Sequence, residues 1–403
     1  DGVSCLAGRE VGAAASVSVK RTMKYSKWII CVVTVALGLP AGLFFLALTR
    51  NEHHKAAAAP NLALLPSLEA SSPPAPAKAE PAQARPTLKA PALRKGDTIG
   101  IVAPASSMDQ VSATRAMANL TRQGYKVRLS NGYLQARGYL AGSDKARAAE
   151  FNAFFADPAI KAILCLRGGY GSPRILDRLD YEMIRKNPKI LIGYSDITAL
   201  LNGIHSKTGL VVFHGPMAKE FSLGKGLTPY TQKYFWPAFT PSSKLFADWG
   251  GTGPRGRTHL KTIRRGQAEG VLVGGNLSVL VSTIGTPYEP RSENCILFLE
   301  DVSEKPFRID RMLNQLRLSG KLGQYKGVLL GSFTGCLPLR QAGRIGLLDV
   351  FDHYFANLGV PVLSGYAAGH QPDQAILPFG IRVHLDATEK ILSFIEAPVA
   401  EER

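Results

Sequence analysis

The chain has 403 residues, 45% of them hydrophobic and 20% charged, and 48 Lys and Arg against 31 Asp and Glu give a net charge of +17. At about 150 residues per domain that length holds two domains with material over, and the composition excludes a disordered, collagen-like or disulfide-scaffold protein. Residues 92–403 carry +12 of the charge, but without a Lys/Arg cluster interleaved with aromatic residues, which argues against a nucleic-acid partner and for anionic substrates or envelope polymers.

The extra material lies at the front. Residues 28–48 (WIICVVTVALGLPAGLFFLAL) form a run of 21 residues without a charge, which as a helix rising about 1.5 Å per residue spans a bilayer core of about 30 Å. Lys20, Arg21, Lys24 and Lys27 precede it, so the positive-inside bias puts segment 1–27 in the cytoplasm and the rest of the chain in the periplasm. The alternative is a cleaved signal peptide with its small-residue site near 56–59, and the chain start is open between residue 1 and Met23. Residues 49–92 read as a Pro/Ala-rich linker, too poor in bulky apolar side chains to fold. The five cysteines contain no CxxC and no disulfide framework; Cys165, Cys295 and Cys336 lie in or beside apolar runs and read as free buried thiols.

From residue 93 short apolar runs alternate with amphipathic ones. Residues 98–104 (TIGIVAP) predict a buried strand, 109–123 a helix, 125–129 a strand, and 143–156 a helix capped by Ser143 and Asp144. AILCL (162–166), KILIGY (189–194) and LVVFH (210–214) are further strands. Such alternation implies an α/β domain over 93–250 with a parallel, Rossmann- or flavodoxin-like sheet, whose ligands bind at the carboxyl ends of its strands. Residues 215–265 are irregular and include GGTGPRG. A smaller, β-rich domain over 262–397 follows, with strands GVLVGG, CILFLE, GVLLGSF and VPVLSG. It has one clear helix after Pro306, where Ile309, Met312, Leu313 and Leu316 form an apolar stripe.

Metal chemistry has no support, because HExxH is absent and the eight His are scattered without ligand spacing. Nucleophilic catalysis is better founded. In KILIGYSD a strand ends at Gly193, Ser195 stands at the turn, and a helix follows; that geometry exposes a hydroxyl and aims the Asp196 N–H at an oxyanion. Ile197 occupies the last position of what is otherwise GxSxG, and a plain helix N-cap is the competing reading. Arg167-Gly-Gly-Tyr-Gly171 follows the strand AILCL, and its glycines allow close backbone approach at the same sheet edge. Of the histidines, His370 lies in a Gly-flanked loop suited to a functional base, whereas His205, His214, His353 and His384 fall in regular elements. Glu300 at the end of CILFLE is the orienting carboxylate, or Asp301 beside it; period-two alternation lets only one face the site. Two decoys fail: Lys207-Thr-Gly209 lacks an upstream SxxK, and Thr334-Gly-Cys336 lacks a nearby upstream His.

LRKGDTIGIVAPAS, LRGGYGSPRIL, ILIGYSDITALL, GVLVGGNLSVL, LFLEDVSEKPFRIDRMLNQL and GYAAGHQPDQAILPFG, in this order, resemble the LD-carboxypeptidases, serine peptidases that include muramoyltetrapeptide carboxypeptidase and the microcin C immunity peptidases. The resemblance runs from residue 93 to the C-terminus. It implies a Ser195-His370-Glu300 triad in a cleft between the two domains, needing no cofactor and no metal. It also implies release of the terminal D-alanine from a murein tetrapeptide by cutting the L,D bond, in peptidoglycan recycling or remodelling. The backbone N–H groups of Asp196 and Gly169 are the oxyanion candidates, with Tyr170 in the same substrate-facing loop. Arg167 or Arg308 either pairs with a substrate carboxylate or sits in a structural ion pair. A homodimer is an admissible assembly, and a microcin C-type peptide-nucleotide or an inactive peptidoglycan-binding relative are the alternative functions. GHQPDQ departs from the second glycine that many members carry after the His.

Overall fold

The computed structural model describes residues 85–224, 226–240, 259–340 and 343–401. The segment 1–27, the apolar run 28–48, most of the linker and the Gly-rich 250–256 lie outside the described residues, among which no helix is long and apolar enough to cross a membrane. The linker expected over 49–92 stops short of residue 92. Leu88 bridges to Leu210 and Pro91 to Ala400, Ala90 is buried, and the Leu88 amide and carbonyl are satisfied by Gly209 and Val211.

Apolar runs build the first sheet. β1 (Thr98–Val102), β2 (Lys126–Leu129), β3 (Ile160–Cys165), β4 (Ile190–Gly193) and β5 (Val212–His214) are parallel and lie in the order β2-β1-β3-β4-β5. β3 and β4 are buried almost throughout, as strands covered on both faces must be. The connecting helices are α1 (Gln110–Arg122), α2 (Asp144–Ala156), α3 (Tyr181–Lys186) and α4 (Thr198–Thr208). Asp109 caps α1 by accepting from Ser112 N–H, and Ser143 caps α2 by accepting from Ala146 N–H, each satisfying an amide the helix start leaves without a partner. Gly209, at φ 78, ends α4 in the left-handed region. Two short helices follow β5, α5 (Ala218–Phe221) and α6 (Pro229–Phe235).

The second sheet contains β6 (Lys261–Arg264), β7 (Gln267–Asn276), β8 (Cys295–Val302), β9 (Gly327–Thr334) and β10 (Val362–Ser364), with β12 (Arg382–Asp386) and β13 (Ile391–Phe394). Its order is β13-β12-β7-β8-β9-β10-β6, parallel from β7 through β10 and antiparallel at the margins. Alternation along β8 sends Ile296 and Phe298 into the core shared with the first sheet, and Leu297 and Leu299 into a second core under α7 (Leu277–Val281), α8 (Pro306–Leu318) and α9 (Leu347–Phe355). In α8 the expected stripe is buried at Ile309, Leu313 and Leu316, with Met312 half-buried beside them.

The second unit is β-rich and holds more helix than the one expected after Pro306. Its sheet has seven strands against six in the first, and α9 is a further well-formed helix. Moreover β11 (Leu377–Phe379) crosses over and pairs antiparallel with β5, covering an edge that would otherwise expose its backbone groups.

Candidate active site

β4 delivers the serine. Gly193 is obligatory there, because a Cβ would stand 2.7 Å from Ile197 Cγ2. Ser195 then takes φ 64, one of four non-glycine residues at positive φ among those described, and the turn 195–197 leads directly into α4. A left-handed serine is strained, and such strain persists only where surrounding packing dictates it. The N-cap reading fails, since Ser195 makes no capping bond. With His370 Nδ1 protonated, it donates to Glu300 Oε2 at 2.6 Å, and Nε2 accepts from the Ser195 hydroxyl at 2.9 Å. Three residues separated by 70 and 175 positions thus form one hydrogen-bonded chain.

Period two decides between the adjacent carboxylates. Glu300 shares the Phe298 face of β8 and is fully buried. Asp301 turns to the other face, where its oxygens accept from Asn276 Nδ2 at 3.2 Å and from Ser278 N–H and Oγ at 3.0 and 2.7 Å. Burial pushes the Glu300 carboxyl above its ordinary value, opposed by the bond from His370. A carboxylate in this position holds the imidazole in one tautomer and stabilises its protonated form.

Around the triad the site is aromatic and tightly built. Tyr194 lies edge-on to His370 with ring centroids 4.9 Å apart, and its hydroxyl donates to Glu220 Oε1 at 2.8 Å. His214 is buried against Tyr194, Phe298 and Phe379; burial pushes it down to about 3, so it stays neutral and is a much weaker base than an ordinary imidazole. His205 interacts through Nδ1 with Leu210 O at 3.0 Å, His353 is edge-on to Tyr354, and His384 is 3.8 Å from Glu269.

Beside Ser195 lies the loop 167–171. A Cβ on Gly168 would be 2.9 Å from Ser195 Cβ, 3.1 Å from its Oγ and 3.3 Å from the Asp196 nitrogen. At Gly169, φ 109, a Cβ would instead run into Ser106. Among the described residues no hydrogen bond from the Asp196 or Gly169 N–H to a protein acceptor is found, so both donors are open to an incoming oxygen. Tyr170 stands half-exposed, edge-on to Tyr139 at 5.3 Å, and gives its N–H to Ser106 Oγ at 3.3 Å. Arg167 has a buried Nε without a hydrogen-bond partner, whereas Arg308 is exposed on α8, 3.5 Å from Glu304. Among the described residues no three His, Cys, Asp or Glu side chains are grouped to hold a metal.

Sequence reasoning passed over what joins the serine helix to the second sheet. Thr198 Oγ1 accepts from Asn276 N–H at 3.0 Å, and Asn202 Nδ2 donates to Gly274 O at 2.8 Å. Gly275, at φ 128, presses on Thr198 where no Cβ would fit. The doubled glycine of GVLVGGN was the available signal, since paired glycines at a strand end permit close backbone approach.

Comparison with known proteins gives the family. The family model described as the LD-carboxypeptidase N-terminal domain matches residues 99–215, and the model of the C-terminal domain of the same family matches 269–385. A probable murein peptide carboxypeptidase of Bacillus subtilis is 40% identical over 313 residues, covering 78% of this chain and 96% of the relative. Among solved structures, muramoyltetrapeptide carboxypeptidase from Oxalobacter formigenes superposes with a TM-score of 0.64 at 30% identity, covering 73% of this chain and 97% of that one. MccF in complex with glutamyl sulfamoyl guanosine gives a TM-score of 0.71 at 27% identity, covering 78% and 100%. With both domain models matched, the chain belongs to the LD-carboxypeptidase family of serine peptidases.

Proposed function

We propose that this enzyme hydrolyses the L,D bond of murein tetrapeptides, releasing the terminal D-alanine. The observation that carries the proposal is the unbroken chain Ser195–His370–Glu300 beside two open N–H donors. Ser195 Oγ attacks the carbonyl before D-alanine while His370 Nε2 takes its proton, and Glu300 stabilises the resulting imidazolium. The N–H groups of Asp196 and Gly169 receive the oxyanion. His370 returns the proton to the leaving amine; water then repeats the sequence on the acyl-enzyme and restores Ser195.

Arg167 is the arginine that suits a substrate carboxylate, because its Nε is desolvated and without a partner, whereas Arg308 is already beside Glu304. The test is mass analysis of muropeptides before and after incubation with the purified protein: the wild type converts tetrapeptide to tripeptide, and Ser195→Ala does not. Unchanged activity in that variant removes Ser195 from the mechanism. The likeness to MccF supports one alternative, cleavage of a peptide-nucleotide, and assaying both substrates side by side decides between them. The assembled triad speaks against an inactive peptidoglycan-binding role.

On the same reading the run 28–48 anchors the enzyme in the inner membrane, with residues 93–403 on the periplasmic side. Support comes from its 21 uncharged residues and the basic cluster before it. A reporter fused after residue 90 is then active outside the cytoplasm; activity only inside inverts the orientation. A homodimer is the assembly to look for by light scattering, and a monomeric mass rejects it.

A further inference from the structure

The oxyanion donor at Asp196 is held from behind by a buried arginine that sequence reasoning did not single out. Arg147, on α2, has a side chain only 1% exposed. Its guanidinium donates to two loop carbonyls, Pro104 O after β1 and Gly171 O, the latter at 2.8 Å, at the end of the glycine loop. The peptide unit that offers Gly171 C=O to Arg147 offers, at its other end, the Ser172 N–H to Asp196 Oδ2 at 2.8 Å. Ser172 Oγ also donates to the Asp196 carbonyl. Asp196 is therefore fixed through its carboxylate and its carbonyl together, which holds its backbone nitrogen beside Gly168, where a Cβ would lie 3.3 Å from it and 3.1 Å from Ser195 Oγ.

The charges are arranged in the same sense. Asp144 receives Arg147 Nη2 at 2.5 Å and the forked Nε and Nη2 of Arg174 at 3.0 and 2.7 Å. Two guanidinium groups share the Asp144 carboxylate, and the buried one, Arg147, also faces the Asp196 carboxylate across the Gly171–Ser172 peptide. Gly171, at φ 124, is closely packed here: a Cβ would stand 2.5 Å from Leu140 Cδ2 and 3.0 Å from Arg147 Nη1. Hydrogen bonds in series polarise one another, and a buried cation acts through a weaker dielectric than a surface one.

We propose that Arg147 is a positioning residue for catalysis, acting through the Gly171–Ser172 peptide and Asp196 to orient the oxyanion site, with Asp144 and Arg174 as its brace. It touches no substrate. Its removal therefore lowers the rate of the chemical step and leaves substrate affinity in place.

The inference rests on the serine-peptidase reading of the site, so the experiment uses two readouts on the full-length protein. One is D-alanine release from murein tetrapeptide, resolved into kcat and KM. The other is the rate at which a fluorophosphonate labels Ser195, whose phosphoryl oxygen enters the same oxyanion site without any commitment to substrate. Arg147→Met is expected to lower kcat and the labelling rate in parallel, by about 30- to 300-fold, reaching at most the lower part of the about 10²–10³ that outright loss of an oxyanion donor costs, with KM changed less than about threefold. Arg147→Lys, which keeps the charge and one donor group, recovers a substantial part of both. If Arg147→Met loses only thermal stability and its folded fraction keeps wild-type kcat and labelling, or if KM alone rises, the proposal is overturned. Should Arg147→Met fail to fold, the lysine variant decides: labelling equal to wild type refutes the relay, and a partial loss at unchanged KM upholds it. Wild-type protein that releases no D-alanine but is labelled rapidly overturns the substrate assignment while leaving the relay testable by labelling.

Discussion

Gly168→Ala adds one methyl group where the glycine loop meets the nucleophile. That carbon would lie 2.9 Å from Ser195 Cβ, 3.1 Å from Oγ and 3.3 Å from the Asp196 nitrogen. Neither neighbour can retreat, because Ser195 is held on His370 and Asp196 on Ser172. Gly168 is not among the glycines at positive φ, so the change adds steric overlap without backbone strain. Overpacking of this sort costs about 1–3 kcal/mol, which at about 2.1 cal/mol/K of unfolding entropy per residue over about 310 folded residues lowers Tm by about 1.5 °C per kcal/mol. The methyl also occupies the approach to the Asp196 N–H, and losing one oxyanion donor costs about 2.7–4 kcal/mol in the transition state, or about 10²–10³ in kcat. Steady-state D-alanine release should therefore collapse in a protein whose melting curve remains cooperative and only modestly shifted. A Gly168→Ala enzyme with kcat within about threefold of wild type would refute this placement of the oxyanion site.

Further outcomes follow from other contacts. Glu300→Gln should lower kcat by about 10⁴, as loss of the orienting carboxylate does elsewhere, while its stability relative to wild type improves with pH. Burial raises the Glu300 pKa above 4.5, so the folded state keeps that proton longer than the unfolded state and wild-type stability falls as pH rises through the window. Thermal melts from pH 5 to 8 check this, and a deficit of the variant that widens with pH contradicts it. Thr198→Ala leaves the buried Asn276 N–H without its acceptor and should cost about 1–3 kcal/mol in urea unfolding; a cost near zero means the contact between α4 and β7 contributes nothing. Cys295 and Cys336 are pushed up to about 12 and about 11 by burial, and Cys165 is pushed up as well. None of the three should react with a thiol reagent at pH 8 until denaturant is added, and prompt labelling of any of them in native protein goes against the packing described.

Much of the site could be read from sequence because its signals are local. Gly193 and Ser195 sit between a buried strand and a helix, and His370 lies in a loop that regular structure does not claim. Glu300 and Asp301 stayed alternatives there, since alternation says that they diverge but not which face meets His370. What escaped was long-range. Arg147 looks like any arginine on an amphipathic helix until α2 is placed against two loops, and Leu377 to Phe379 carries no mark that it will close the other sheet. Gly168 and Gly169 are equivalent in a sequence; only the backbone course sets one against Ser195 and the other against Ser106.

The loop bearing His370 runs from β10 in the second sheet to β11 in the first. During synthesis, the nucleophile therefore emerges 175 residues before its base, and the strand that fixes the base on the serine's sheet comes later still. Domains usually fold in order of emergence, but contacts this distant form late. A chain that has not reached residue 370 carries the serine and no general base. Peptidase activity thus begins only after residues 362–379 have joined both sheets through the same loop, so the order of synthesis itself keeps the serine silent until its base arrives.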